Sequence, residues 1–219
     1  MPEGTPTLMS HRSSDDYILM SKPRVIFVLG GPGSGKGTHC DQLRERFSLL
    51  HLSVGDILRD FLKTGSKEAE EISRRMKEGQ MVPSQIVVEQ LKKKILSIGT
   101  GRIVMVDGFP RNQENIDLWE QIVGEEIKVI LLAYIEVRDE VMIQRLLNRG
   151  KTSGRLDDTE EVITKRLATF HSETEPVLIH YKRLYREGKT RVFVVNGELK
   201  LEDAQARFKK FFEHNRILE

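Results

Sequence analysis

Apolar residues along this chain come in two arrangements. Five runs are nearly unbroken: Val25-Ile26-Phe27-Val28-Leu29, Leu49-Leu50-His51-Leu52, Ile103-Val104-Met105-Val106, Ile127 to Ile135, and Val192-Phe193-Val194-Val195 after Arg191. Short apolar runs without polar alternation predict strands buried on both faces. Between them apolar residues return every three or four positions, as in Ile86, Val87, Leu91, Ile95 and Leu96 after Pro83-Ser84, and in Val141, Ile143, Leu146 and Leu147. That spacing predicts helices with one face inward. Five such strands alternating with helices predict an α/β fold with a parallel sheet, since parallel strands need crossovers that cover both faces.

The remaining stretches predict smaller features. Ser53, three residues before Asp56, is placed to cap a helix through Ile57, Leu58, Phe61 and Leu62, with Arg59 off the apolar face. A charged helix follows from Lys67 to Lys77, ended by Gly79. The thin apolar stripe between Ser53 and Pro83 suggests a small mobile subdomain. Asp158 with Glu161 is expected to cap a long helix carrying Ile163, Arg166, Leu167 and Phe170, and Pro176 to kink or divide it. Leu201 to Phe212 reads as an amphipathic closing helix. Residues 1 to 23, with Pro, Gly, Ser, Thr and the acidic pair Asp15-Asp16, read as a flexible extension, neither secretory signal nor transit peptide. No internal repeat is present.

Composition narrows the functional classes. The 219 residues are 38% hydrophobic and 31% charged, as in an ordinary globular domain of this size. A formal net charge of +2 is too small to argue for nucleic acid or a membrane surface. No apolar run approaches the ~20 residues that cross a bilayer. The single cysteine, Cys40, allows neither an internal disulfide nor a cysteine cluster for zinc. A reducing, cytoplasmic location fits, with nuclear entry left open.

The chemistry concentrates at Gly30-Gly31-Pro32-Gly33-Ser34-Gly35-Lys36-Gly37-Thr38, between the first strand and a helix-like Cys40 to Phe47. Glycines let successive N–H groups close around an anion, the helix start adds partial positive charge, and Lys36 adds a full one. The spacing is that of a phosphate-binding P-loop, except that Thr38 comes one place late, after Gly37. Asp107 ends the third apolar run, where P-loop proteins carry a carboxylate toward magnesium. Arg111 and several amides follow just beyond it, where ligands bind in open parallel sheets. Arg138, Arg145 and Arg149 share one helix face that leads into Gly150 to Asp158, a polar stretch suited to a closing flap.

Taken together, Gly-Gly-Pro-Gly-Ser-Gly-Lys-Gly-Thr (30 to 38), Leu-Ser-Val-Gly-Asp (52 to 56), Asp-Gly-Phe-Pro-Arg (107 to 111) and Arg-Gly-Lys-Thr-Ser-Gly-Arg-Leu-Asp-Asp (149 to 158) resemble the nucleoside monophosphate kinases of the adenylate kinase superfamily, in their short-lid form. Gly37 before Thr38 is that family's own form of the loop. The resemblance, from about Arg24 onward, implies a core with a five-stranded parallel sheet, an NMP-binding insert near 53 to 82 and a lid near 149 to 159. It implies that Gly33, Ser34, Gly35, Lys36, Gly37 and Thr38 bind ATP phosphates, with Lys36 on the transferred group. Arg59 and Arg111 match the arginines that hold the monophosphate. Arg149, Arg155 and Arg166 match those that close over both phosphate groups. Gln80, Met81 and Val82, with Gly108, Phe109 and Pro110, would line the acceptor site. Asp107 would steer a hydrated Mg2+ without binding it directly. The partners implied are ATP and a nucleoside monophosphate, and the expected state is a monomer.

Two positions bear on the acceptor base. Val54 stands where adenylate kinases typically have Thr, and Asn115 where they have Gln, while Asn112-Gln113-Glu114-Asn115 followed by Trp119 resembles the UMP-CMP kinase pattern. An Asn amide carries a donor and an acceptor and can flip, so it suits both pyrimidines. Asp56 is closer to the adenylate kinase form, so AMP stands as the second acceptor. A non-catalytic nucleotide-binding protein would be expected to lose Lys36 or the lid arginines, and all are present.

Overall fold

The computed structural model describes residues 22–78, 80–153 and 158–219. The expected N-terminal extension, apart from its last two residues, and Arg155 therefore lie outside the described residues. In chain order the elements are β1 (Arg24–Leu29), α1 (Lys36–Phe47), β2 (Leu50–Ser53), α2 (Val54–Leu62), α3 (Lys67–Lys77), α4 (Ser84–Ile98), β3 (Ile103–Asp107) and α5 (Gln113–Ile122). A 3-10 turn (Gly124–Glu126) leads to β4 (Lys128–Glu136), α6 (Asp139–Ser153), α7 (Glu160–Thr169), a π-helical turn (Phe170–Thr174), α8 (Glu175–Arg186), β5 (Arg191–Asn196) and α9 (Leu201–His214).

The five strands form one parallel sheet in the order β2-β3-β1-β4-β5, as the apolar runs predict. Alternation along each strand divides the core in two. On one face Val25, Phe27, Val104, Val106, Leu132 and Tyr134 pack with α2 to α8. On the other Ile26, Val28, Met105, Leu131 and Ala133 pack with Cys40 and Leu43 of α1 and with Phe208 and Phe212 of α9. Trp119 belongs to the first of these, its ring 5.1 Å from Phe27, and so is a packing residue. His39 and Gln205, both buried, meet at 3.2 Å and join α1 to α9.

Four local expectations change. Leu96 and Leu147 are exposed at 40% and 36%, because α4 turns Leu91 and Ile95 inward and α6 turns Met142 and Leu146 inward. The expected flap begins in helix, since α6 continues through Gly150 to Ser153. Asp158 does not cap α7: Thr159 does, its hydroxyl accepting from the Val162 N–H at 3.4 Å. The long helix divides at the π turn, ahead of Pro176, which sits in the first turn of α8 where its missing N–H costs nothing.

Phe208 is 1% exposed among Phe193, His39 and Phe212. Phe208→Ala should lower unfolding free energy by about 3–5 kcal/mol, read by urea denaturation. Tyr185→Ala, at a residue 57% exposed, should stay within about 0.5 kcal/mol of the parent.

Candidate active site

Leu29, Ser53 and Asp107 mark the C-terminal ends of β1, β2 and β3, and a cleft of about 720 Å³ opens beside them. The chain leaving β1 must turn sharply to enter α1. Gly33 adopts φ +81°, and a Cβ there would stand 2.6 Å from the Met142 carbonyl oxygen, so no other residue fits. The Ser34 N–H donates to the Gly31 carbonyl at 3.1 Å, closing the turn. No side chain caps α1. Its first N–H groups are therefore left for an anion.

Lys36 occupies the centre of this loop. Its Nζ donates to the Gly30 and Gly31 carbonyls, both at 2.8 Å, with Ser34 Oγ at 3.5 Å. Burial pushes its pKa down to about 8; Asp107 opposes the shift, and Arg111 and Arg166 add to it. Gly33, Gly35, Gly37 and Thr38 line the cleft with Lys36. Ser34 is fully buried and is not part of that lining.

Asp107 faces the start of α1: a Cβ on Gly37 would lie 3.9 Å from its Oδ2. Burial alone would raise its pKa, but His51, Lys36 and Arg111 outweigh it and hold the carboxylate below its usual range. His51, on β2, lies between Asp41, with Nδ1 at 3.3 Å from Oδ1, and Asp107, with Nε2 at 3.7 Å from Oδ2. Burial opposes its protonation, yet the two carboxylates raise its pKa.

Five arginines line the same cleft, Arg44 on α1 and, from four further segments, Arg59, Arg111, Arg149 and Arg166. Arg59 on α2 pairs with Asp56, its Nε donating at 3.2 Å. Arg111 donates through Nε to the Gly108 carbonyl at 2.8 Å. Arg149 on α6 and Arg166 on α7 converge on Asp158, whose side chain is 0% exposed. Arg149 is bidentate, Nε and Nη2 each at 2.7 Å, and Arg166 Nη1 donates at 3.3 Å. Asp158 reaches them because α6 carries Gly150 where a Cβ would stand 2.9 Å from the Asp158 carbonyl. The sequence reading gave this aspartate a capping role; its partners lie eight and nine residues away on two helices instead.

Gln80, Met81, Val82, Val54, Gly108 and Asn115 also line the cleft. Phe109 and Pro110 do not. Phe109 is 0% exposed, its ring 5.3 Å from those of Phe27 and Trp119, so it anchors the Arg111 turn in the core. Asn115 is 4% exposed and is held in one orientation. Its Oδ1 accepts the Arg111 N–H at 2.9 Å, and its Nδ2 donates to Ser84 Oγ at 2.7 Å. Ser84 in turn donates to Glu114. A flipped amide would set its NH2 against the Arg111 N–H, so the flip expected from sequence is closed. One N–H and one lone pair of Asn115 remain for a ligand.

Two residues at or behind this site have no role in the sequence reading. Arg145 donates through Nη1 to the Ser34 carbonyl at 3.4 Å and through Nη2 to the Gly197 carbonyl at 3.0 Å, bracing the loop against the turn after β5. Its place in the arginine stripe was visible, but its partners were not. His51, a lone polar residue in an apolar strand, was the only signal for the Asp41–Asp107 bridge.

A family model described as "Adenylate kinase" matches residues 28–185. The chain is 41% identical over 165 residues to "Adenylate kinase isoenzyme 1" of Homo sapiens, covering 75% of this chain and 84% of that protein. It is 37% identical over 184 residues to the protein of the same description from Cyprinus carpio, covering 84% and 91%. It is 39% identical over 213 residues to "UMP-CMP kinase" of Lentinula edodes, covering 91% and 88%.

The charged form of Lys36 is the one that attracts phosphate, so, with Lys36 on ATP phosphates as the sequence resemblance implies, ATP affinity should weaken as pH rises through about 8. Calorimetric titration across that range should show the bend in the parent and none in Lys36→Met. A flat profile in the parent would contradict the placement of Lys36 on the phosphates.

Proposed function

The chain belongs to the adenylate kinase family, and from that premise we propose that it transfers the γ-phosphoryl group of ATP reversibly to a pyrimidine nucleoside monophosphate, UMP or CMP. An acceptor phosphate oxygen is already ionised near neutral pH, so the chemistry asks for no general base. It asks for alignment of two polyanions and for positive charge around the group in flight. In this reading the loop from Gly33 to Thr38 cradles the ATP phosphates and Lys36 exchanges its carbonyl partners for phosphate oxygens. Arg59 and Arg111 hold the monophosphate, and Arg149 and Arg166 exchange Asp158 for the phosphate groups as the donor and acceptor meet. Arginine's planar fork suits each of these exchanges, because carboxylate and phosphate present the same paired oxygens. The family works with ATP and Mg2+; here Asp107, ionised and facing the start of α1, is the carboxylate fitted to orient the waters of a magnesium ion bound to ATP.

The pyrimidine assignment rests on Asn115, an amide fixed on the floor of the cleft with one donor and one acceptor remaining beside Arg111. Val54, at the start of α2, lines the same cleft without a hydroxyl. Adenylate kinase activity, with AMP as acceptor, is the second reading. Asp56 in the Leu-Ser-Val-Gly-Asp motif and the two relatives described as adenylate kinases favour it.

A coupled assay with ATP-Mg and UMP, CMP or AMP decides between them. The expected result is a kcat/KM higher for UMP or CMP; a preference for AMP beyond about tenfold, or 1.4 kcal/mol, overturns the pyrimidine assignment. Val54→Thr combined with Asn115→Gln should raise the AMP-to-UMP ratio of kcat/KM, and an unchanged ratio would place base recognition elsewhere. Lys36→Met should fold, by circular dichroism, and lose most phosphoryl transfer.

A further inference from the structure

The helix that carries Arg166 widens, after α7, into the π-helical turn Phe170–Thr174. Such turns interrupt helices frequently at functional sites. Side chains of this one reach in several directions. Phe170 packs beneath the phosphate loop, where a Cβ on Gly31 would meet its ring at 3.3 Å. His171 bridges Asp139 at the start of α6, at 2.9 Å, and Glu175, at 3.1 Å. Glu173 accepts from Asn112 Nδ2 at 3.3 Å. Thr174, 6% exposed, donates its hydroxyl to the Arg111 carbonyl at 2.7 Å.

That last bond completes a clamp. The Arg111 N–H is taken by Asn115 on α5, its Nε by the Gly108 carbonyl, and its carbonyl by Thr174. The peptide groups on both sides of Arg111 are thus held, one from the acceptor's own segment and one from the continuation of the Arg166 helix. We propose that Thr174 is a positioning residue for acceptor binding, fixing the Arg111–Asn112 peptide so that the guanidinium enters the cleft in one orientation. The proposal rests on Arg111 being the arginine that holds the monophosphate. Without the hydroxyl the Arg111 carbonyl loses this donor, the turn can rotate, and acceptor affinity falls, while the phosphate loop, which stands on β1 and α1 and does not touch Thr174, keeps its hold on ATP.

Steady-state kinetics of Thr174→Val, Thr174→Ser and Arg111→Ala test this, with UMP, CMP and AMP each varied at saturating ATP and ATP varied at saturating acceptor. Thr174→Val should raise the acceptor KM about tenfold and leave the ATP KM within about twofold, while Thr174→Ser, which keeps the hydroxyl, stays near the parent in both. If Thr174→Val does not fold, Thr174→Ala removes the same donor without added bulk and is read by the same criteria. An acceptor KM within about twofold of the parent, an equal rise in the ATP KM, or a serine variant as impaired as the valine one overturns the proposal. Arg111→Ala separates the two levels. If it leaves every acceptor KM unchanged, the reading of Arg111 fails; if it raises them steeply while Thr174→Val does not, the clamp alone fails.

Discussion

Positive charge cannot be gathered in a cleft partly sealed from water unless each cation has oxygen around it. That constraint shapes the site. Lys36 rests on two backbone carbonyls, Arg59 on Asp56, Arg111 on Gly108, and Arg149 and Arg166 on the buried Asp158. In the proposed reading, phosphate oxygens take the places of these partners. The protein thus keeps a set of cations assembled that would otherwise repel, and the lowered pKa of Lys36 records both its burial and that repulsion.

The sheet makes the gathering possible. With all strands parallel, β1, β2 and β3 end at the same edge, so the phosphate loop, the start of α2 and the turn after Asp107 meet without long excursions of chain. Helices on both faces bury the strands and so fix the height of that edge. Arg149 and Arg166 come from a separate direction, near the ends of α6 and α7. They depend on Gly150 letting the returning chain pass close enough for Asp158 to reach both.

Much of this could be read along the chain, because local rules decide it. Unbroken apolar runs were strands, the glycine loop stood between strand and helix, Ser53 capped α2 as its spacing required, and Asp107 ended β3. Partners distant in sequence were harder to see. Asp158 satisfied a local capping pattern, yet its carboxylate is held by arginines on two helices and the neighbouring Thr159 took the cap. Phe109 and Pro110 sit in a motif with Arg111, but only the core shows that they anchor the turn from behind. The orientation of Asn115 depends on Ser84, 31 residues earlier, which no short-range pattern encodes.

The placement of Asn115 carries a cost for any change of diet. The amide that the proposed reading sets against the acceptor's ring also grips the backbone of Arg111. A lineage adopting a different nucleobase by mutating this side chain would loosen its hold on every monophosphate at once. Drift toward a new ring therefore has to be accompanied by repairs on α4, α5 or the π turn, and single-step exchanges at this position should be trapped by weak, indiscriminate intermediates.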